Sequence, residues 1–76
     1  MSAEIEIAGP TIGLGQLLKF SGVAESGAHA RELIAGGDVR VAGAVEARRG
    51  AQIADGAVVE VALPGGTETL HVRVRR

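Results

Sequence analysis

The apolar residues change from a helical period to a period of two after the first half of the chain, and that change restricts the folds open to it. Leu14, Leu17 and Leu18 fall at i, i+3 and i+4, and Ala30, Leu33 and Ile34 repeat the spacing, so each set forms one face of a helix. From Val39 onward the spacing is two. Val39 and Val41 flank Arg40, and Leu70, Val72 and Val74 alternate with His71, Arg73 and Arg75. Residues 3–8 also alternate, with Ile5 and Ile7 on one strand face and Glu4 and Glu6 on the other. The order is a strand, two helices, then four or five short strands. This is an α+β arrangement in which two short helices cover a small twisted sheet, antiparallel or mixed.

Turn and cap residues give the expected boundaries. Gly9-Pro10 ends the first strand, Thr11 is placed to cap the first helix, and Gly22 stops it. Gly13 and Gly15 each cost that helix about 1 kcal/mol relative to alanine, so packing must sustain it. Phe20, the only aromatic residue, is expected in the core in preference to a base-stacking role, because this helix needs apolar contacts. Val23 is the apolar residue placed to pin the corner between the helices. Ser26 caps the second helix, and Gly36-Gly37 supplies its left-handed exit. Ala42-Gly43 reads as a tight turn leading to a returning strand over 44–47, and Arg48-Arg49-Gly50 as a loop. A short strand follows near Ile53, then an Asp55-Gly56 turn, a strand over 57–63, and a turn at Pro64-Gly65-Gly66.

A chain of 76 residues has room for one modest core, so a single domain over 1–76 is expected. Cys is absent, which excludes a disulfide scaffold, a thiolate zinc site and a thiol redox motif. The opening residues lack the basic start and apolar run of a secretory signal, and no stretch approaches the roughly 20 apolar residues of a membrane span. A cytoplasmic location without membrane contact is the expectation. His29 and His71 lie on different elements with no metal-binding spacing, and the carboxylates are scattered as solubilising charges. Gly13-Leu14-Gly15 lacks the third glycine and the βαβ unit of a dinucleotide fingerprint. These glycines instead permit close approach, of a neighbouring backbone or of a phosphate. No catalytic constellation emerges, so neither an enzyme nor a small-molecule substrate or cofactor is expected.

The formal charge of −1 gives no overall attraction to a polyanion. Its distribution is uneven. Acids lead at Glu4 and Glu6, His71, Arg73, Arg75 and Arg76 close the chain as a solvated strand face, and Lys19, Arg31, Arg40, Arg48 and Arg49 come from the helices, the first hairpin and the loop after it. Around the second helix Arg31 lies about 100° from Ala30 and about 60° from Ile34, at the edge of the apolar stripe. If the hairpin packs beside that helix, Arg40 and Arg48 approach Arg31, and clustered guanidinium forks match phosphate oxygens. With a single aromatic, such a surface would read backbone and shape and not a run of unstacked bases.

The segment IGLGQLLKFSGVAESGAHARELIAGGDVRVAGAVEARRG, followed by the DG turn and VVEV, resembles the RNA-binding domain named after small-subunit ribosomal protein four, in its small stand-alone bacterial YaaA/YbcJ-type variant. The likeness covers residues 11–62. It implies an αL-type fold, here with an added N-terminal strand. It also implies non-enzymatic binding of structured RNA, ribosomal RNA or a ribosomal subunit; separately, a monomer is expected. By position, the family's basic helix residue falls on Arg31, the cap and first turn of that helix on Ser26 and Gly27, the hairpin strand on Arg40, the paired arginines on Arg48 and Arg49, and the basic position of the first helix on Lys19. Ala42 stands where the family usually has Asn, Ala51 and Gln52 where basic residues are common, and Gly27 where Arg often follows the cap serine. Each departure removes a polar or basic group, which implies weaker binding.

Two other readings use the same segments. VAGAVEARRG and DGAVVEVALPGG are similar to stretches of β-grasp sulfur carriers, whose chemistry requires a terminal Gly-Gly carboxylate, whereas Gly65-Gly66 is followed by ten further residues. An alternating strand over 67–76 would also suit a domain that pairs a sheet edge with a protein partner.

Overall fold

The computed structural model describes residues 2–75. The chain runs β1 (Ser2–Ile7), β2 (Thr11–Gly13), α1 (Leu14–Phe20), α2 (Gly27–Ala35), β3 (Val39–Val41), β4 (Ala44–Val45), β5 (Gln52–Ala54), β6 (Val58–Leu63) and β7 (Gly66–Val74). Five strands form a mixed sheet in the order β1-β7-β6-β3-β4, and β2 pairs with β5 in a second, two-stranded sheet. The added N-terminal strand joins β7 in parallel, from Ser2 opposite Thr69 to Ile7 opposite Val74. The expected α+β architecture of two helices on a small mixed sheet is present.

Both helices contribute to one core. Leu14, Leu17 and Leu18 of α1 and Ala30, Leu33 and Ile34 of α2 are buried in one cluster with Ile7, Val39, Ile53, Val59, Val61, Leu70 and Val72. Ala24 of the inter-helix turn is buried too, while Val23 packs against the cluster partly exposed. Helix α2 begins as its sequence implies: the Ser26 Oγ accepts the His29 N–H at 3.1 Å. It ends in a left-handed turn, with Gly37 at φ 80° and the Asp38 N–H donating to the Leu33 carbonyl at 3.1 Å.

Helix α1 starts later than its sequence suggests. Thr11 is not its cap but lies in β2, where its hydroxyl donates to Gln52 Oε1 at 2.7 Å, and Gly13 is the residue that precedes the first turn. The β2–β5 pairing captures Thr11–Gly13 as strand before a helix can form there. The returning strand after the first hairpin is also shorter than expected, covering Ala44–Val45 alone. The Asp55-Gly56 turn does not close a hairpin, because β5 and β6 belong to different sheets.

The acidic start and basic end of the chain meet across β1 and β7. Arg73 Nε lies 3.3 Å from Glu4 Oε2 and Arg75 Nε 2.6 Å from Glu6 Oε1. Both pairs are exposed and are worth roughly 0–1 kcal/mol each. Arg76 lies outside the described residues.

The β3–β4 turn holds Ala42 at φ 53° and Gly43 at φ 82°. Two consecutive left-handed residues suit a primed hairpin turn, but the Ala42 Cβ costs about 1 kcal/mol there. Asn tolerates this region, so Ala42→Asn is expected to raise stability by about 0.5–1 kcal/mol and the thermal midpoint by roughly 3–6 °C. A melting curve followed by circular dichroism checks this; an unchanged or lower midpoint would contradict it.

Candidate functional site

Three of the five basic residues singled out in the sequence come together. Lys19 of α1, Arg31 of α2 and Arg49 of the 48–50 loop line one open hollow of about 490 Å³, with Gly13, Gly15, Gln16, Gly27, Gly50 and Gln52. No carboxylate and no large apolar side chain is among these residues. Small-molecule pockets are lined mainly by apolar and aromatic groups, so this composition suits a polar, anionic ligand instead.

Backbone hydrogen bonds bring the loop to the helix. The Leu14 N–H donates to the Ala51 carbonyl at 2.8 Å, and the Gly15 N–H to the Arg49 carbonyl at 3.0 Å. Two first-turn donors of α1, which no residue inside the helix could satisfy, are thus met by residues 49–51. The loop is held from its other side by Gln52, whose Nε2 donates to the Gly50 carbonyl at 3.1 Å. Gly15 makes room for the Arg49 side chain, since a Cβ at that position would stand 2.8 Å from Arg49 Cγ, whereas the Arg49 carbonyl oxygen would lie at an ordinary 3.6 Å. The Gln16 side chain accepts the Gly13 N–H at 3.3 Å.

The other expected residues lie apart from this hollow or beside it. Arg40 and Arg48, expected to approach Arg31, are not among its walls. Arg40 lines a separate hollow with Asp38 and Glu60, Glu60 being its register partner across β3 and β6. Arg48 turns to Glu46 in a two-pronged pair, Nε to Oε2 at 3.1 Å and Nη2 to Oε1 at 3.2 Å, and its N–H also donates to Oε2 at 3.1 Å. These bonds from Arg48 hold the Glu46 carboxyl below the usual carboxylate range and push the Arg48 guanidinium up. Ser26 has its side-chain oxygen committed to the α2 cap, and only its neighbour Gly27 reaches the hollow.

Charge pairing sorts the cations further. Among the described residues, the ion pairs are Arg48 with Glu46, Arg73 with Glu4 and Arg75 with Glu6. Lys19, Arg31 and Arg49 make none, so the three cations that converge are also ones left without a carboxylate. Gln16, Gln52 and Gly50 escaped the sequence reading, because nothing in a lone amide or loop glycine marks it as lining a site. Phe20, expected in the core, is instead 65% exposed.

No group of three or more His, Asp or Glu side chains able to hold a metal occurs among the described residues. His29 is occupied structurally, its Nδ1 accepting the Glu25 N–H at 3.0 Å. Gly65 lies in the turn between β6 and β7, and Gly66 pairs with Leu63 inside the hairpin. No described helix is long and apolar enough to cross a membrane.

Comparison with known proteins adds a family. Residues 5–72 match the S4 domain. Over 53 residues the chain is 47% identical to the Escherichia coli (strain K12) protein named "Putative RNA-binding protein YbcJ", a match spanning 70% of this chain and 76% of that protein. It is equally similar, over the same shares, to the Shigella flexneri protein named "Uncharacterized protein YbcJ". With most of its length matched, and with the two-helix, mixed-sheet architecture described above, the chain belongs to the S4 domain family.

Proposed function

We propose that this protein is a non-catalytic binder of structured RNA, and that RNA phosphates occupy the hollow between Lys19, Arg31 and Arg49. One observation carries the reading: three cations from separate elements line the same hollow, with no ion pair to a described residue and no acid on its walls. Guanidinium forks suit phosphate oxygens, and each cation that neutralises a phosphate releases a counterion. The name of the Escherichia coli relative points to the same ligand class. Ribosomal RNA, folded and abundant in the cytoplasm, is the RNA we propose, bound by a single copy of the chain.

Arg48 and Arg49 are adjacent but differently placed, which gives the proposal its test. Binding to a fluorescent ribosomal RNA hairpin is measured by anisotropy across a salt series. Arg49→Ala is expected to reduce the slope of log affinity against log salt by roughly 0.7–0.9, the value of one phosphate contact. Arg48→Ala, which removes a guanidinium already held by Glu46, is expected to leave the slope close to that of the unaltered protein. Equal losses in the two variants, or a flat salt response of the parent protein, would contradict the assignment. Sedimentation with ribosomal subunits at low salt, and release at high salt, tests the identity of the RNA.

Gly15→Ala separates binding from folding. The new Cβ forces the Arg49 side chain away, while alanine gains about 1 kcal/mol of helix propensity over glycine. The expected outcome is a reduced salt slope, as for Arg49→Ala, with a thermal midpoint no more than a few degrees from the parent. Unchanged RNA binding would show that the position of Arg49 does not matter.

A further inference from the structure

Phe20 is the most exposed large apolar side chain among the described residues, at 65%, in a chain with no other aromatic. Stability does not ask for it there, since a polar residue at an exposed helix end would leave less apolar surface in water. Its position supplies a use. Phe20 ends α1 one turn after Gln16, a wall of the cationic hollow, and follows directly on Lys19, another wall. Side chains four apart on a helix are neighbours, with Cβ atoms roughly 5–6 Å apart. At 100° per residue Phe20 lies about 40° from Gln16 around α1, which puts its Cβ on the flank of the hollow, outside the walls themselves. The other exposed large apolar residues, Val45 and Val58, lie on β4 and β6 and have no π-face to offer.

We infer that Phe20 stacks on one unpaired base of the RNA whose phosphates enter the hollow. The ligand class is thus a stem carrying an extrahelical nucleotide, as a bulge, a loop base or a frayed end. A continuous duplex keeps its base faces within the stack and has none to present. One aromatic accommodates one base, which distinguishes this surface from platforms that hold runs of single strand. The inference rests on the phosphate-binding reading above.

The test uses one RNA stem in two forms, with and without a single-nucleotide bulge, the bulged base being 2-aminopurine. The parent protein is expected to bind the bulged stem roughly tenfold more tightly or better, and to quench the 2-aminopurine. Phe20→Ala is expected to lose that preference and the quenching, while keeping its affinity and salt slope for the continuous stem. Phe20→Trp is expected to retain the preference. The side chain is exposed, so unchanged melting curves will confirm that both variants fold. Equal affinity of the parent protein for the two stems overturns the stacking inference and leaves the phosphate reading in place. Binding of neither RNA overturns both. Phe20→Ala behaving like the parent toward both RNAs overturns the inference and reassigns the ring to a protein contact.

Discussion

Replacing Lys19, Arg31 and Arg49 together by alanine is expected to lower affinity for structured RNA about a hundredfold or more at 0.1 M salt. The magnitude follows from counterion release. Each phosphate contact contributes roughly 0.7–0.9 to the slope of log affinity against log salt, so three contacts contribute about 2–3. At 0.1 M, one decade below the 1 M reference, losing them removes a similar number of log units. The slope itself should fall by the same amount. The residual affinity should be nearly independent of RNA sequence, because phosphate contacts carry no base information. All three side chains are exposed, and none makes an ion pair with a described residue, so the variant should melt close to the parent protein. A steep remaining salt slope would mean that other cations carry the binding, and Arg40 in its separate hollow would be the first to examine.

Leu17→Ala is expected to have the largest effect on folding. Leu17 is fully buried in α1, a helix of 7 residues that is too short to persist without packing. Truncation leaves a cavity and typically costs about 2–5 kcal/mol. At roughly 0.05–0.15 kcal/mol per residue, a chain of this length has only about 4–11 kcal/mol in total. The thermal midpoint should therefore fall by about 10–30 °C, against a shift of a few degrees at most for Lys19→Ala on the outer face of the same helix. Weakened RNA binding in Leu17→Ala should accompany loss of the fold, since Gln16 and Lys19 would lose the helix that positions them. A drop under about 3 °C would show that α1 is not integral to the core.

Elements with a strong local period were legible from the sequence, and those that depend on distant partners were not. Ser26, the apolar stripe Ala30, Leu33 and Ile34, and Gly37 define α2 within about a dozen residues, so local rules suffice. Thr11–Gly13 is too short to show alternation, and it becomes a strand only because Gln52–Ala54 reaches it from far along the chain. The β1–β7 pairing is equally non-local: Glu4 and Glu6 find Arg73 and Arg75 across it, charges that from the sequence alone mark only a solvated face.

The candidate site follows the same division. Lys19, Arg31 and Arg49 could be chosen by residue type, but their separation from Arg40 and Arg48 could not. Arg48 is withdrawn by Glu46 two residues away, a pairing that depends on how the loop turns, and Arg40 points to the side of the sheet where Glu60 lies opposite. Phe20 was misread by its chemistry although its position was informative. At 100° per residue it lies about 110° from the centre of the Leu14, Leu17 and Leu18 stripe, nearer to Gln16 than to the core.

The most direct measurement is a titration of isotope-labelled protein with a ribosomal RNA hairpin, followed by NMR of the backbone amides and the arginine Nε–H groups. The largest shifts are expected on Gly15, Gln16, Lys19, Gly27 and Gly50, with the Nε signals of Arg31 and Arg49 moving and that of Arg48 nearly still. Shifts confined to the Arg40 hollow or to the β1–β7 edge at saturation, with Arg31 and Arg49 unmoved, would contradict the proposed binding site.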